Sequence, residues 1–188
     1  MYRLLVSIIG LIFLSNFSYA GDFDTRQFNL KVKTDTWGVE FREYTRSNRS
    51  HIQLERYIDK WKLGYRYDEE DHKTEHRLRL DYKLLDNNHF YVTPRIEHRY
   101  YEGSKDDYSR LRSAFGIKIG NVWAEITPML HFGEGKKEDL SIDEYQSKVG
   151  YTFDIDNKVK LKTFIQHEAD SRFNKTNLFF GTTLEVGF

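Results

Sequence analysis

The sequence predicts an all-β transmembrane barrel of about ten antiparallel strands, with twelve as the alternative, on three observations. Apolar and polar residues alternate with period two in segments of about ten residues, and the helical period is nearly absent. Turns rich in Asp, Asn, Gly and Lys separate the segments. Nearly every segment also sets large charged side chains against aromatic or aliphatic ones on the opposite face.

The chain opens on Met1-Tyr2-Arg3, an almost wholly apolar stretch from Leu4 to Leu14, and the small-residue boundary Ser18-Tyr19-Ala20. This pattern predicts a cleaved secretory signal over 1–20, since a membrane-spanning helix needs roughly 20 apolar residues. The barrel is expected to occupy 21–188. Phe28, Leu30 and Val32 alternate too, but with parity opposite to Trp37, Val39 and Phe41. That reversal is read as a bulged extension of the first strand or an N-terminal segment in the periplasm or lumen, in preference to an extra strand.

Strands are expected at Trp37 to Tyr44, Ser50 to Ile58, Trp61 to Tyr67, Arg77 to Leu84, Phe90 to Tyr101 and Tyr108 to Ile119, then at Val122 to Phe132, Tyr145 to Phe153, Lys158 to His167 and Thr176 to Phe188. Short turns at 58–60, 86–88, 120–121 and 154–157 alternate with longer loops at 46–49, 68–74, 102–107, 133–143 and 169–175. Such alternation is what a transmembrane barrel shows, and it implies an even strand number with both chain ends at one rim.

Composition narrows the alternatives. The chain has no cysteine, so no disulfide framework supports it. Its 29 basic and 29 acidic residues cancel, so net charge points to no partner, nucleic acid included, and only the placement of charge is informative. A soluble lipocalin-like barrel or sandwich would also alternate. The membrane reading is favoured by charge on one face of nearly every strand, by aromatics at strand ends (Trp37, Tyr67, Tyr82, Phe90, Tyr151, Phe153), and by Leu184, Val186 and Phe188 alternating to the terminus. Leu78, Leu80, Tyr82, Ile96, Leu111, Phe115, Leu161, Phe180 and Leu184 are then expected to face lipid. The terminal pattern resembles the signature by which the barrel-assembly machinery reads outer-membrane proteins through a last aromatic, here Phe188. Location in the outer membrane of a Gram-negative cell follows.

The run Asn88-His89-Phe90-Tyr91-Val92-Thr93-Pro94-Arg95-Ile96-Glu97-His98-Arg99, followed by Tyr108-Ser109-Arg110-Leu111-Arg112 and Gly116-Ile117-Lys118, resembles the central hairpin of the KdgM-type oligogalacturonate-specific porins. Tyr145 to Phe153 and Gly181 to Phe188 fit more loosely, so the resemblance covers about half of the barrel segment. It implies a small monomeric barrel that admits acidic oligosaccharides through an arginine-lined pore. The family has twelve strands, and this chain has room for ten.

Assigned inward, the polar faces carry Arg42, Lys62, Arg66, Arg77, Arg79, Lys83, Arg95, Arg99, Arg110, Arg112, Lys118, Lys148, Lys158, Lys160 and Lys162 against Glu40, Glu55, Asp81, Glu97, Glu125, Glu168 and Glu185. Fifteen against seven predicts a basic lumen, with the compensating acid in loops such as Asp68-Glu69-Glu70-Asp71. Low-dielectric walls focus such a field on anions, and arginine grips carboxylates bidentately without titrating. The expected solute-contacting set is Arg42, Arg66, Arg77, Arg79, Arg95, Arg99, Arg110, Arg112, Lys118, Lys148, Lys160 and Lys162. The plainer reading is that these cations only fill a narrow barrel in ladders with Glu97, Asp81 and Glu125.

Two other function classes compete. A barrel enzyme of protease or lipase type needs a nucleophile or activated water beside a base. Only His131 and His51 take inward parity, with Asp139, Asp143 and Glu144 as acids that could join His131, so no catalysis is expected. A poreless structural or adhesive barrel would have a charge-balanced interior. Cofactors and metals have no signal, and Glu69-Glu70-Asp71-His72 reads as a solvated loop. Arg56, on an apolar face, is expected near the periplasmic rim, and His98 and His167 near the outer one.

Overall fold

A computed structural model of the chain describes residues 25–45, 49–70, 73–103, 107–132, 142–170 and 176–188. The described residues form twelve strands and no helix: β1 (Thr25–Lys33), β2 (Trp37–Tyr44), β3 (Arg49–Ile58), β4 (Trp61–Glu70), β5 (Lys73–Tyr82), β6 (Leu85–Asp86), β7 (Phe90–Tyr101), β8 (Tyr108–Ile119), β9 (Val122–Phe132), β10 (Ile142–Asp154), β11 (Val159–Asp170) and β12 (Thr176–Gly187). Eleven of them close a barrel, β5 pairing directly with β7 and β12 with β1. The twelfth, β6, has two residues and pairs only with β7. The expected signal segment and its boundary at Ala20 lie outside the described residues.

The strand number is therefore eleven in the wall instead of ten, and odd instead of even. The added strand is β1. Its pairs with β2 include Val32↔Val39 and Lys33↔Gly38. Cross-strand partners in an antiparallel pair share a face, so an even-numbered and an odd-numbered residue point outward together. The parity reversal is the mark of a hairpin at 34–36, not of a bulge. Strands of alternating direction cannot close a ring of odd number without one parallel pair, and that seam is β1 with β12, from Thr25↔Phe179 to Lys33↔Gly187.

The first described residue, Thr25, and the last, Phe188, consequently lie at opposite rims. The C-terminal rim holds Phe188 and the connections at 34–36, 59–60, 83–89, 120–121 and 155–158; the N-terminal rim holds Thr25 and the strand ends Tyr44, Glu70, Tyr101, Phe132 and Asp170. Local chemistry shapes the turns of the C-terminal rim. Thr34 Oγ1 accepts from the Trp37 amide at 3.0 Å, Asn87 Oδ1 from the Phe90 amide at 2.7 Å, and Asp156 Oδ1 from the Val159 amide at 2.8 Å. These side-chain acceptors mimic a backbone turn. Gly120, at φ 58°, takes a left-handed conformation that suits glycine.

Wall extends into four stretches read as loops, with β3 starting at Arg49 and β10 at Ile142. β4 runs to Glu70 and β5 starts at Lys73, so most of 68–74 is strand, and β11 runs to Asp170. Conversely, Lys83 and Lys158 lie in turns. Asp71, His72 and Asp139 lie outside the described residues.

Polarity is inverted relative to a soluble barrel. Leu78, Ile96, Leu111 and Phe115 stand exposed on the outer surface, Leu78 to 60%. Leu80, Tyr82, Leu161 and Phe180 are half-covered by neighbours, and Leu184, although aligned with the outward Leu30 and Leu161, is buried. Trp37, Trp61, Tyr82, Phe90, Tyr151 and Phe153 ring the C-terminal rim, where Trp61 packs on Tyr82 at 4.6 Å between centroids. Toward the other rim Tyr65, Tyr67 and Tyr100 surround His76. His51, Gln53, Glu55, Asp68, Asp81 and Glu97 are instead the most deeply buried large side chains.

Candidate functional site: the charged lumen

Inward side chains fall into rows set by the strand registers. One row runs Gln53↔Arg66↔Arg77↔Arg99↔Tyr108 across β3, β4, β5, β7 and β8. The next, toward the C-terminal rim, runs Glu55↔Gly64↔Arg79↔Glu97↔Arg110↔His131, and a third runs Lys62↔Asp81↔Arg95↔Arg112↔Met129. Arginines thus stand directly beside arginines. Such neighbours repel unless anions lie between them.

Buried carboxylates supply those anions. Asp68 accepts from Arg66 Nε at 2.6 Å and lies 3.2 Å from Arg77, which also binds Glu75. Glu97 stands 3.0 Å from Arg99 Nε and 2.6 Å from Arg110 Nε. Asp81 holds Arg95 at 2.5 Å and Lys62 at 2.7 Å. Glu55 joins Lys31 at 2.6 Å and Arg79 at 3.1 Å. Arg79 reaches across β4 to Gln53 and Glu55 because Gly64 has no side chain there; a Cβ would stand 3.3 Å from Arg79 Nε.

The wall from β9 to β12 is different in kind. Thr127, Met129, Gln146 and Gln166 face inward with few charges among them. Glu168 accepts from the amides of Gln146 at 2.5 Å and Gln166 at 2.7 Å. Toward the C-terminal rim, three rings fill the lumen over glycines that are their direct cross-strand partners: Tyr91 over Gly116, Trp123 over Gly150 and Phe164 over Gly181.

Between the two kinds of wall lies a cavity of about 530 Å³. Twelve cationic side chains line it against five carboxylates, Glu40, Glu55, Glu125, Glu144 and Glu168. Adding Asp68, Glu75, Asp81 and Glu97, buried behind the arginines, makes twelve against nine. The lumen remains net positive, by less than fifteen against seven implied, because Lys83, Lys118, Lys158, Lys160 and Lys162 do not line the cavity while Asp68, Glu75 and Glu144 join the inward carboxylates. Arg112 stands apart from the ladder. It donates to Gln146 Oε1 at 3.0 Å, its cross-strand neighbours are Arg95 and Met129, and no carboxylate among the described residues is within ion-pair distance.

Of the twelve expected site residues, Arg42, Arg66, Arg77, Arg79, Arg95, Arg99, Arg110, Arg112 and Lys148 line the cavity. Lys118, Lys160 and Lys162 do not. They sit near the C-terminal rim, paired with Asp86 at 3.0 Å, Asp154 at 2.9 Å and Glu185 at 3.0 Å. Lys31, Arg49 and Lys62 line it as well. Lys62 already carried inward parity; Lys31 was hidden by the reading of β1, and Arg49 by its assignment to a loop.

His51 is fully covered, 3.7 Å from Glu40 and 3.4 Å from Asp68, and His131 is buried 3.9 Å from Glu144. The segment likened to a porin hairpin forms β7 and β8, paired from Phe90↔Ile117 to Arg99↔Tyr108. No protein-family model matches the chain, and no curated protein matches it.

Proposed function

We propose that this chain is a monomeric outer-membrane barrel that takes up small anionic solutes, acidic oligosaccharides such as uronates foremost, without catalysing their conversion. The observation that carries the reading is the net-positive cavity beside Arg112, a guanidinium that the internal carboxylates leave open to a solute. Paired arginines hold the wall in shape, and the open one, with Lys148 3.8 Å from Glu125, offers weak sites from which an anion can also leave. The Gln and Thr wall opposite is suited to sugar hydroxyls. The membrane part of the proposal is supported by the exposed aliphatic belt between two aromatic bands, the pattern of transmembrane barrels, and by the hairpin's resemblance to KdgM-type porins. An odd strand number departs from the even number usual in bacterial barrels.

The test is single-channel conductance of the refolded protein in a planar bilayer, with selectivity from the reversal potential. Anion preference, and longer blockades by uronate oligomers than by neutral sugars of equal length, are expected. Equal passage of both ions removes the reading. A second reading, a vestibule that holds an anion without passing it, is favoured by one observation: Tyr57, Trp123, Phe164, Lys162 and Glu185, nearer the C-terminal rim, do not line the cavity. It predicts no conductance but saturable binding of the same oligomers.

A further inference from the structure

On the outer surface, two rows of side chains run across β2, β3, β4, β5 and β7. The first is Trp37↔Arg56↔Leu63↔Leu80↔Ile96. The second, toward the N-terminal rim, includes Leu54↔Tyr65↔Leu78. Between them lies an almost wholly apolar groove of about 600 Å³ with Gly64 in its lining. Barrel strands tilt by roughly 35–45°, so a row perpendicular to them climbs the wall diagonally. This one starts at Trp37, the first residue of β2, and Arg56, beside the turn at 59–60, and ends at Ile96 in mid-strand.

Arg56 is the anomaly on this surface. An arginine facing lipid is costly at the midplane and cheap near an interface, and the position by the C-terminal rim keeps that cost small. Its guanidinium lies 4.6 Å from the centroid of Trp37, and among the described residues it makes no ion pair or hydrogen bond. In the lumen, by contrast, arginine after arginine has a carboxylate. A cation held against an aromatic face, with its donors free, stands at the rim end of an apolar channel.

We propose that this groove binds one anionic phospholipid of the leaflet at the C-terminal rim, its phosphate on Arg56 and an acyl chain along Leu63, Leu78 and Leu80. Charge complementarity selects the head group, since a planar guanidinium engages phosphate oxygens bidentately while Trp37 covers its other face. The diagonal course selects a chain: it leads from the interface into the hydrocarbon, as a tethered acyl group must. The site rests on the membrane reading above.

The test uses the full-length barrel refolded into vesicles of equal parts phosphatidylglycerol and phosphatidylcholine with identical chains. Flotation is checked first, and the protein is then extracted in mild detergent for native mass spectrometry. Phosphatidylglycerol should be retained at one molecule per chain, about tenfold over phosphatidylcholine. Arg56→Gln should bring the two lipids to parity, Arg56→Lys should keep part of the preference, and Lys60→Gln should keep all of it. Glycerol phosphate, which has the head group and no chain, should not compete. Failure to float with vesicles removes the membrane reading and this site together. Flotation with equal retention of both lipids, or a preference that survives Arg56→Gln, overturns the site alone.

Discussion

Arg112 donates to Gln146 Oε1 at 3.0 Å and has no ion-pair partner among the described residues, whereas Arg110, two residues before it on β8, sets its Nε 2.6 Å from Glu97. The two arginines share a strand and a face, and only their cross-strand surroundings differ. Replacing each by glutamine should therefore separate selectivity from stability. Arg112→Gln removes a charge that no carboxylate balances, so it should lower the anion-to-cation permeability ratio severalfold and leave the unfolding midpoint in denaturant nearly unchanged. Arg110→Gln takes one of the cations from the buried Glu97 and should cost on the order of 1–3 kcal/mol. Equal loss of selectivity in both variants would mean that total charge, not the open guanidinium, sets the preference.

Raised salt offers a complementary reading of the same contrast. A Debye length near 10 Å at 0.1 M falls to about 3 Å at 1 M, so attraction of solute anions to the cavity should fade while the buried ladders hold. Reversal potentials measured from 0.1 to 1 M salt should converge toward zero for the unmodified barrel, with the denaturation midpoint little altered. Selectivity unaffected by salt would point to sieving by size.

The inward set was legible wherever a strand was recognised, because period two fixes the face once the strand is known: Arg77 and Arg79 point in and Leu78 points out on parity alone. Lys31 was missed with β1, whose odd turn reverses parity in a way that one strand cannot reveal. Glu75 fell between an expected loop and an expected strand, and Asp68 was missed for the opposite reason. A run of acids beside a turn looks solvated unless the arginines that bind it are known to be its neighbours. Which arginines are neutralised was beyond reach, since Arg95 meets Asp81 and Arg112 meets Met129 only through the register between strands. Closure through a parallel seam depends on the total strand number, which no single segment contains.

Phe164 and Gly181 form another pair that only register creates. A Cβ at Gly181 would come within 2.1 Å of the Phe164 ring, which is buried. Gly181→Ala should therefore destabilise the barrel, by about 1–3 kcal/mol as overpacking does. The second substitution Phe164→Leu on that background should restore part of the loss. Unfolding in urea, followed by Trp fluorescence or by the heat-dependent gel shift of refolded barrels, measures both. Additive losses in the double variant would show that the two residues do not share the space.

The outer belt gives a test of the membrane reading that does not involve transport. Leu78 is 60% exposed, so in water Leu78→Arg would be nearly neutral or favourable. In a bilayer the same change near mid-strand should cost about 2–4 kcal/mol. Folding into vesicles should drop measurably, whereas Lys83→Arg, in an exposed turn, should have no effect. A Leu78→Arg variant that folds in buffer without detergent and is as stable as the parent would remove the membrane.

The parallel seam makes the most distinctive prediction. With β1 in the wall between β2 and β12, Thr25 lies at the rim opposite to Phe188, and the turn at Asp35 lies on the Phe188 side. Without β1 the oppositely directed β2 and β12 would be the free edges, and an even ten-stranded ring could close through them with the N-terminal segment left at the C-terminal rim. The two arrangements differ in sidedness. In a chain carrying a single cysteine, Thr25→Cys and Asp35→Cys should be modified by a membrane-impermeant maleimide from opposite faces of the membrane, one in intact cells and the other only after permeabilisation. Neither variant alters a lumen or groove residue. The inward Lys31 ties β1 across β2 to Glu55 on β3 at 2.6 Å, so Lys31→Gln should loosen β1 on its β2 side and speed amide exchange in β1 before it affects β3 or β4. Modification of both cysteines from the same side would show β1 to be outside the wall and the barrel to have ten strands.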